Sequence, residues 1–369
     1  MVAITFVLPD LRGGGAERVN LDLAHEFVRI GHAVELVLMR AEGEFLDEAL
    51  AAFPTVNLGV DRSRNLPWAL ARYLRRRRPE VVIASMWPLT VLATAGRVLS
   101  GHSCHVVVWE HNTLSRQYQS WGRLHRLLMR SSMALGYRFA DARVGVSVGV
   151  VQDLSRLAGM PFDRFAVVHN PIPIRPAPEV GQLAEAEALW DAPRGARILA
   201  VGSFKKQKNH ALLLKAFARL GGPAKLMLLG RGEGEPGLRD LVSELSITER
   251  VVFAGFHAEP TAFYSTADLF VLSSDYEGFG NVIVEALASG IPVVSTDCPS
   301  GPREILADGK FGRLVPVGDV GALAQAMQAA LEAPADVAAL KARAQDFSIE
   351  KAVDEYERLL FPSVEGRTG

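Results

Sequence analysis

Ser273 to Gly290 reads SSDYEGFGNVIVEALASG, and this stretch decides the fold. The apolar run Leu269 to Leu272 before it has the length of a buried strand. A turn-rich segment with Asp275, Glu277, Gly278 and Gly280 follows, and from Asn281 to Ala288 apolar residues recur at helical spacing. The order is strand, loop, helix. The start of such a helix presents unpaired backbone N–H groups and the positive end of the macrodipole, and glycines let a phosphate approach closely. Phe279, Gly280 and Asn281 stand at the start of this helix and are the candidates to meet such a phosphate with their backbone. Glu277 lies in the loop and Glu285 about one turn into the helix. Carboxylates accept paired hydrogen bonds from vicinal hydroxyls, so one suits a sugar and the other a ribose, with a diphosphate on the amides between them. Taken by itself, such a pair of acids reads more readily as solvated surface residues.

The segment resembles the E-x7-E signature of retaining glycosyltransferases of family 4, the glycosyl transferases group 1, which have the GT-B fold. Here it reads EGFGNVIVE, followed by ALASGIPVVST. The resemblance is dense from Gly202 to Leu314 and thin before Gly101. It implies two Rossmann-like, doubly wound α/β domains facing a cleft, and a last helix that crosses back to the first domain. It also implies transfer of a sugar from a nucleotide diphosphate sugar, expected to be UDP-linked, to a hydroxyl of a glycan or lipid-linked acceptor, with retention at the anomeric carbon.

Bulk properties fit this outline. A chain of 369 residues suggests two domains. With 49% hydrophobic and 22% charged residues the composition is that of a globular protein, and a formal net charge of -1 gives no reason to expect a nucleic-acid partner. Cys104 and Cys298 stand at no metal-ligand spacing and read as reduced thiols of a cytoplasmic protein. Met1 leads directly into a strand pattern with no secretory signal. The longest uncharged run, Val81 to Gly96, contains Ser85 and Pro88 and reads as a strand and a helix, short of the ~20 residues a membrane span needs.

In the first half, Val2 to Leu8 is a strand, Gly13 to Gly15 a glycine loop, and Ala16 to Ile30 an amphipathic helix. This is not G-x-G-x-x-G, so the loop alone is as readily a tight helix-sheet turn as a phosphate site. GGGAERV resembles the first glycine loop of family 4 enzymes, which implies that Gly14 and Gly15 make room for substrate, with Glu17 on the acceptor side. Further strands read as Ala33 to Met39, Val81 to Ala84, His105 to Trp109, Arg143 to Val146 and Phe165 to Val168, a parallel pattern whose ligands bind beyond the strands' carboxyl ends. His111 stands just past one such end. The resemblance implies that it meets the donor sugar, through the ring or the backbone carbonyl; Glu110 and Asn112 are weaker candidates. Arg72 and Arg75 to Arg78 form a basic block at a helix end, suited to the helix dipole or, more sharply, to peripheral contact with an anionic inner-membrane face, with Trp68, Trp87 and Trp121 assisting.

NPIPIRPAP, Asn170 to Pro178, is too rich in proline for helix or sheet interior and marks the boundary. The expected domains are 1–172, with a crossing helix at about 347–362, and 173–346. The second opens with Ile198 to Val201, GSFKKQKNH and a helix from Asn209 to Leu220. Lys208, beyond a strand end at a helix start, suits a diphosphate. Many relatives carry arginine where Ser203 stands, which leaves Lys205, Lys206 or Arg303 to supply a second charge. Strands at Lys225 to Leu229, Val251 to Ala254 and Pro292 to Ser295 follow. Arg231 is a candidate for base or phosphate, and the backbone of Phe256 or His257 for the base. Ile349 to Leu360 places apolar residues on one face.

Catalytic roles fall to Glu277, His111 and Lys208. No dedicated base, cofactor or metal is expected, because lysine and backbone amides neutralise the departing diphosphate. A noncatalytic nucleotide-sugar binder and a nucleotide-sugar epimerase remain alternatives. A nicotinamide oxidoreductase lacks its glycine fingerprint here.

Overall fold

The computed structural model describes residues 1–190 and 196–360, and divides the chain into two compact units, Met1–Pro171 with the segment from Ile349 onward, and Ile172–Ser348. The first unit runs β1 (Ala3–Leu8), α1 (Gly15–Arg29), β2 (Ala33–Leu38), α2 (Leu46–Ala52), β3 (Thr55–Asn57), α3 (Leu66–Arg77), β4 (Val81–Ser85), α4 (Leu89–Ser100), β5 (His105–Glu110), α5 (Leu114–Gln117), α6 (Arg123–Gly136), β6 (Ala142–Gly145), α7 (Val148–Ala158) and β7 (Ala166–Val167). The second runs α8 (Val180–Trp190), β8 (Arg197–Val201), α9 (His210–Phe217), β9 (Lys225–Leu229), α10 (Glu235–Glu244), β10 (Val251–Gly255), α11 (Thr261–Thr266), β11 (Leu269–Leu272), α12 (Asn281–Ser289), β12 (Val293–Thr296), α13 (Pro302–Ile305), β13 (Arg313–Val315), α14 (Val320–Glu332) and α15 (Val337–Ala344). α16 (Ile349–Leu360) returns to the first unit. Residues 361 and 362 of the expected crossing helix lie outside the described residues.

Both sheets are parallel, in the order β3-β2-β1-β4-β5-β6-β7 and β10-β9-β8-β11-β12-β13. Strands such as Phe6 to Leu8, Val106 to Trp109 and Leu269 to Leu272 are buried throughout, as sheets covered on both faces require. In each sheet the order reverses once, between β1 and β4 and between β8 and β11. In open parallel sheets ligands bind beyond the carboxyl ends of the strands at such a reversal. The edge strands β3 and β13, three residues each, are not signalled by the sequence; they exist through pairing with β2 and β12. α8 likewise lacks a distinct apolar stripe, and only Ala186 and Trp190 are buried on it.

α16 buries Ala352, Val353, Tyr356 and Leu360. Tyr356 packs edge-on against Trp109, ring centroids 5.1 Å apart, and Trp109 lies 4.2 Å from the His111 ring. The last helix therefore buttresses the end of β5, and truncating so large a buried ring costs about 3–5 kcal/mol.

Candidate active site

The loops after β8 and β11 leave neighbouring strands at the second sheet's switch point and are stitched together. The Asp275 amide donates to the Gln207 carbonyl (2.8 Å), Gln207 Nε2 to the Tyr276 carbonyl (2.9 Å), Asn209 Nδ2 to Asp275 Oδ1 (2.7 Å) and Ser273 Oγ to the Lys208 carbonyl (2.9 Å). Asn209, in the left-handed region at φ +44°, also caps α9 by accepting from the Leu212 amide. This stitching brings Lys208 Nζ to 2.7 Å from Glu277 Oε1, an oxygen that also accepts from Ser274 Oγ at 2.6 Å. Glu277 is only 5% exposed, so its charge rests on these donors rather than on water. Two residues assigned separate ligands by the sequence are thus each other's partners.

Three residues past Glu277, Gly280 is the N-cap of α12; its φ of +102° is one that glycine adopts at little cost, and without a side chain it gives the helix start no side-chain cap. The loop after β12 passes so close that a Cβ on Gly301 would sit 1.7 Å from the Phe279 carbonyl oxygen. Phe279 is buried against Phe347, centroids 5.3 Å apart, so its contribution at the surface is backbone. Ile283, Val284, Ala286 and Leu287 bury the opposite face of α12. Glu285 is half-buried and accepts from the Tyr264 hydroxyl at 2.8 Å. Burial, then the Glu285 charge, holds that phenol well above its ordinary pKa, so it remains a donor.

The remaining candidates of this unit are dispersed. Ser203 follows β8, and Lys205 and Lys206 are exposed in the same loop. Arg231 stacks over the Phe256 ring at 4.9 Å, which joins two residues separately assigned to the base. Arg303, exposed at the start of α13, has its guanidinium on both carboxylate oxygens of Asp297 and 3.1 Å from Asp308. His210, edge-on to Phe204 and buried, has its pKa pushed down to about 4 by burial and then by Lys208.

In the first unit, Gly14 precedes the first turn of α1 and a Cβ there would meet the Glu17 carboxylate at 2.2 Å; Gly15 is exposed. His111 follows β5. Its Nε2 accepts from Asn20 Nδ2 at 3.3 Å, and Asn20 Oδ1 accepts from Ser85 Oγ at 2.8 Å. Nδ1 has no accessible surface, and burial drives the pKa down to about 3 against an opposing interaction with Asn170, so the ring is neutral. Both ring nitrogens face protein. Asn20 was not legible as a site residue; its signal is an amide on the buried face of an amphipathic helix, 0% exposed. Glu110, buried beside His111, takes Tyr137 Oη (2.7 Å) and Thr90 Oγ1 (2.8 Å) on one oxygen and the Trp87 amide (3.0 Å) on the other. Burial pushes it up to about 7. It pins the loop after β4 to β5.

Arg72 and Arg75 to Arg78 end α3 as expected; Arg77 pairs with Glu35 at 3.0 Å, and the others are exposed. Among the described residues no cluster of three His, Cys, Asp or Glu side chains is arranged for a metal, and no helix is long and apolar enough to cross a membrane.

In sequence and in fold the chain is similar to known glycosyltransferases. Residues 13–175 match the family described as Glycosyltransferase Family 4, and residues 191–347 match Glycosyl transferases group 1. The lipopolysaccharide core biosynthesis glycosyltransferase LpsE of Rhizobium meliloti is 36% identical over 86% of this chain and 85% of its own length. The N-acetylgalactosamine-N,N'-diacetylbacillosaminyl-diphospho-undecaprenol 4-alpha-N-acetylgalactosaminyltransferase of Campylobacter jejuni is 34% identical over 63% of this chain, which spans 62% of that relative's length. In fold, the chain is similar to Anabaena Alr3699/HepE in complex with UDP-glucose, with a TM-score of 0.85 at 20% identity over 98% of this chain and 100% of that one.

Proposed function

The chain belongs to the family 4, or group 1, glycosyltransferases, and on that premise we propose that it transfers a sugar, with retention of anomeric configuration, from a UDP-linked donor to a hydroxyl of a lipid-linked glycan. The observation that carries the reading is the convergence, at one switch point, of the Lys208 ammonium, the Glu277 carboxylate and the glycine-capped start of α12. The diphosphate lies on the amides at that helix start. Lys208 exchanges part of its contact with Glu277 for the leaving phosphate, and Glu277, so relieved, orients the donor sugar. Glu285, held by Tyr264, takes the ribose hydroxyls, and Arg231 on Phe256 flanks the base. As the C1–O bond to the diphosphate breaks, charge grows on the leaving oxygen, where cation and amides stabilise it more than in the ground state. The acceptor oxygen bonds to C1 on the same face, and its proton passes to the departing phosphate.

In the first unit the glycine loop with Gly14, Gly15 and Glu17 serves the acceptor. His111, with its ring nitrogens turned inward, acts on the sugar through its backbone carbonyl, and Asn20 fixes the ring. With lysine and amides supplying the charge, no metal ion is required for transfer. UDP complexes of Anabaena Alr3699/HepE and the undecaprenol-linked substrate in the Campylobacter jejuni relative's name support the choice of donor and acceptor. Two buried free thiols, Cys104 and Cys298, suit the reducing cytoplasm.

The test is release of UDP from UDP-sugars with and without an undecaprenyl-diphosphate-linked sugar, with the product's anomeric configuration read by NMR. Release that depends on acceptor and gives the donor's configuration supports the reading. Tight nucleotide binding without turnover points to a binder, and conversion without acceptor to an epimerase.

A further inference from the structure

Helix α6 carries a surface that neither the donor nor the acceptor reading uses. Its sequence RLHRLLMRSSMALG buries Met129, Met133 and Gly136 towards the unit, while Leu124, Leu127, Leu128 and Leu135 are 65%, 60%, 57% and 62% exposed. Spacings of three, four and seven residues put these leucines on one stripe. Arg123, Arg126 and Arg130, likewise three and four apart, form an exposed row beside it. From residue 111 to 140 the chain has five arginines and no aspartate or glutamate. At the start of the helix Tyr118, Trp121 and Trp87 form a half-buried aromatic cluster with ring centroids 4.4 to 5.8 Å apart.

We propose that this face of α6 docks the protein on an anionic lipid bilayer, its leucines entering the acyl boundary, its arginines meeting lipid phosphates and its aromatic cluster lying at headgroup depth. An apolar stripe flanked by arginine, with aromatic rings at one end, has the chemistry of a helix lying in a membrane interface. Charge decides between occupants. A second copy packed on this face about a two-fold axis would set arginine row against arginine row, a like-charge contact that costs affinity. An anionic lipid surface satisfies both the leucines and the arginines. The basic block Arg72 and Arg75 to Arg78 lies on α3, which packs on α4, and α4 packs on α6; it adds attraction, but the inserting apolar surface is on α6. The docking surface does not depend on the sugar chemistry, and its failure leaves glycosyl transfer untouched.

The experiment is co-sedimentation of the full chain with phosphatidylcholine vesicles, with and without 30% phosphatidylglycerol, with sedimentation velocity of the protein alone. Binding at least tenfold stronger to the anionic vesicles is expected. Leu127→Asp with Leu128→Asp should lower it at least tenfold, and Arg126→Gln with Arg130→Gln by roughly thirtyfold, from about 1 kcal/mol per basic residue. Val180→Asp, on an exposed apolar residue of α8, should change nothing. Unchanged thermal melting of the variants confirms that they fold, and turnover of a water-soluble acceptor should persist. Equal binding to neutral vesicles, no binding at all, full binding by the leucine variant, or a dimer that the leucine variant dissolves would each overturn the proposal.

Discussion

Replacing Lys208 by methionine removes one charge and little else, because the aliphatic stem that lies over Gly202 is retained; a Cβ on Gly202 would meet Lys208 Cε at 3.4 Å. What remains is the Glu277 carboxylate, 7% accessible as a side chain, with Ser274 Oγ on the oxygen that the ammonium had shared. Breaking a fully buried ion pair by deleting one partner costs about 3–5 kcal/mol. The Lys208 side chain is 19% accessible, so water enters where the ammonium was and the lower end, about 3 kcal/mol, is expected. Glu277→Gln keeps the shape and the Ser274 contact and should cost about 2 kcal/mol. The double variant should recover about 2 kcal/mol of the sum, the coupling of the pair. Hydrogen exchange read by mass spectrometry on peptides spanning β8 to α9 and β11 to α12 measures these energies locally, without assuming that the two units unfold together. The functional arms must diverge. Lys208→Met loses a charge-assisted contact to the diphosphate and should weaken UDP binding by ten- to a hundredfold, from about 1.5–3 kcal/mol. Glu277→Gln releases Lys208 and should leave UDP binding equal or tighter while transfer falls. A coupling below about 0.5 kcal/mol, within the scatter of independent sites, or equal losses of UDP affinity in both variants, would refute the pairing and its roles.

Other consequences are as direct. Tyr356 Oη is buried with no hydrogen-bond partner, so Tyr356→Phe should raise first-unit stability by about 1 kcal/mol, read by calorimetry. Gly301→Ala forces a Cβ against the Phe279 carbonyl at φ +88° and should cost about 3 kcal/mol and abolish UDP binding by displacing the start of α12, which thermal shift with and without UDP will show. As pH falls below 6.5 the unfolded chain protonates its histidines while folded His111 and His210 resist down to about 3 and 4, so each lowers stability by up to about 1.4 kcal/mol per pH unit. Glu110, with its folded value at about 7, gains its proton first in the folded state and offsets His111 between about pH 7 and 4.5. The second unit should therefore be the first to unfold on mild acidification, and His210→Phe should flatten its slope in a pH series of melts. Excess EDTA should leave the transfer rate within about twofold, since cation and amides supply the charge.

Strand, glycine turn and helix around Glu277 are legible in the sequence because period, turn residues and helix-start chemistry are local, and so are the parallel α/β architecture and the proline-rich stretch where the first unit ends. Pairings between distant residues are not. Lys208 meets Glu277 across 69 positions and Asn20 meets His111 across 91, because strand order, with β8 beside β11 and β1 beside β4, decides which loops share a crevice. Asn20 follows β1 and His111 follows β5, with β4 and its Ser85 between them, and local pattern carries no such strand order. The same limit explains the three-residue edge strands, which only their neighbours define. α6 makes the point most sharply. Its periodicity announces two apolar stripes, and leucine is the more hydrophobic choice for a core, yet Met129 and Met133 are buried and the leucines face outward. Composition and spacing determined that this helix has an apolar face; only its packing against α4 and α7 decided which stripe the unit keeps and which it offers to its surroundings.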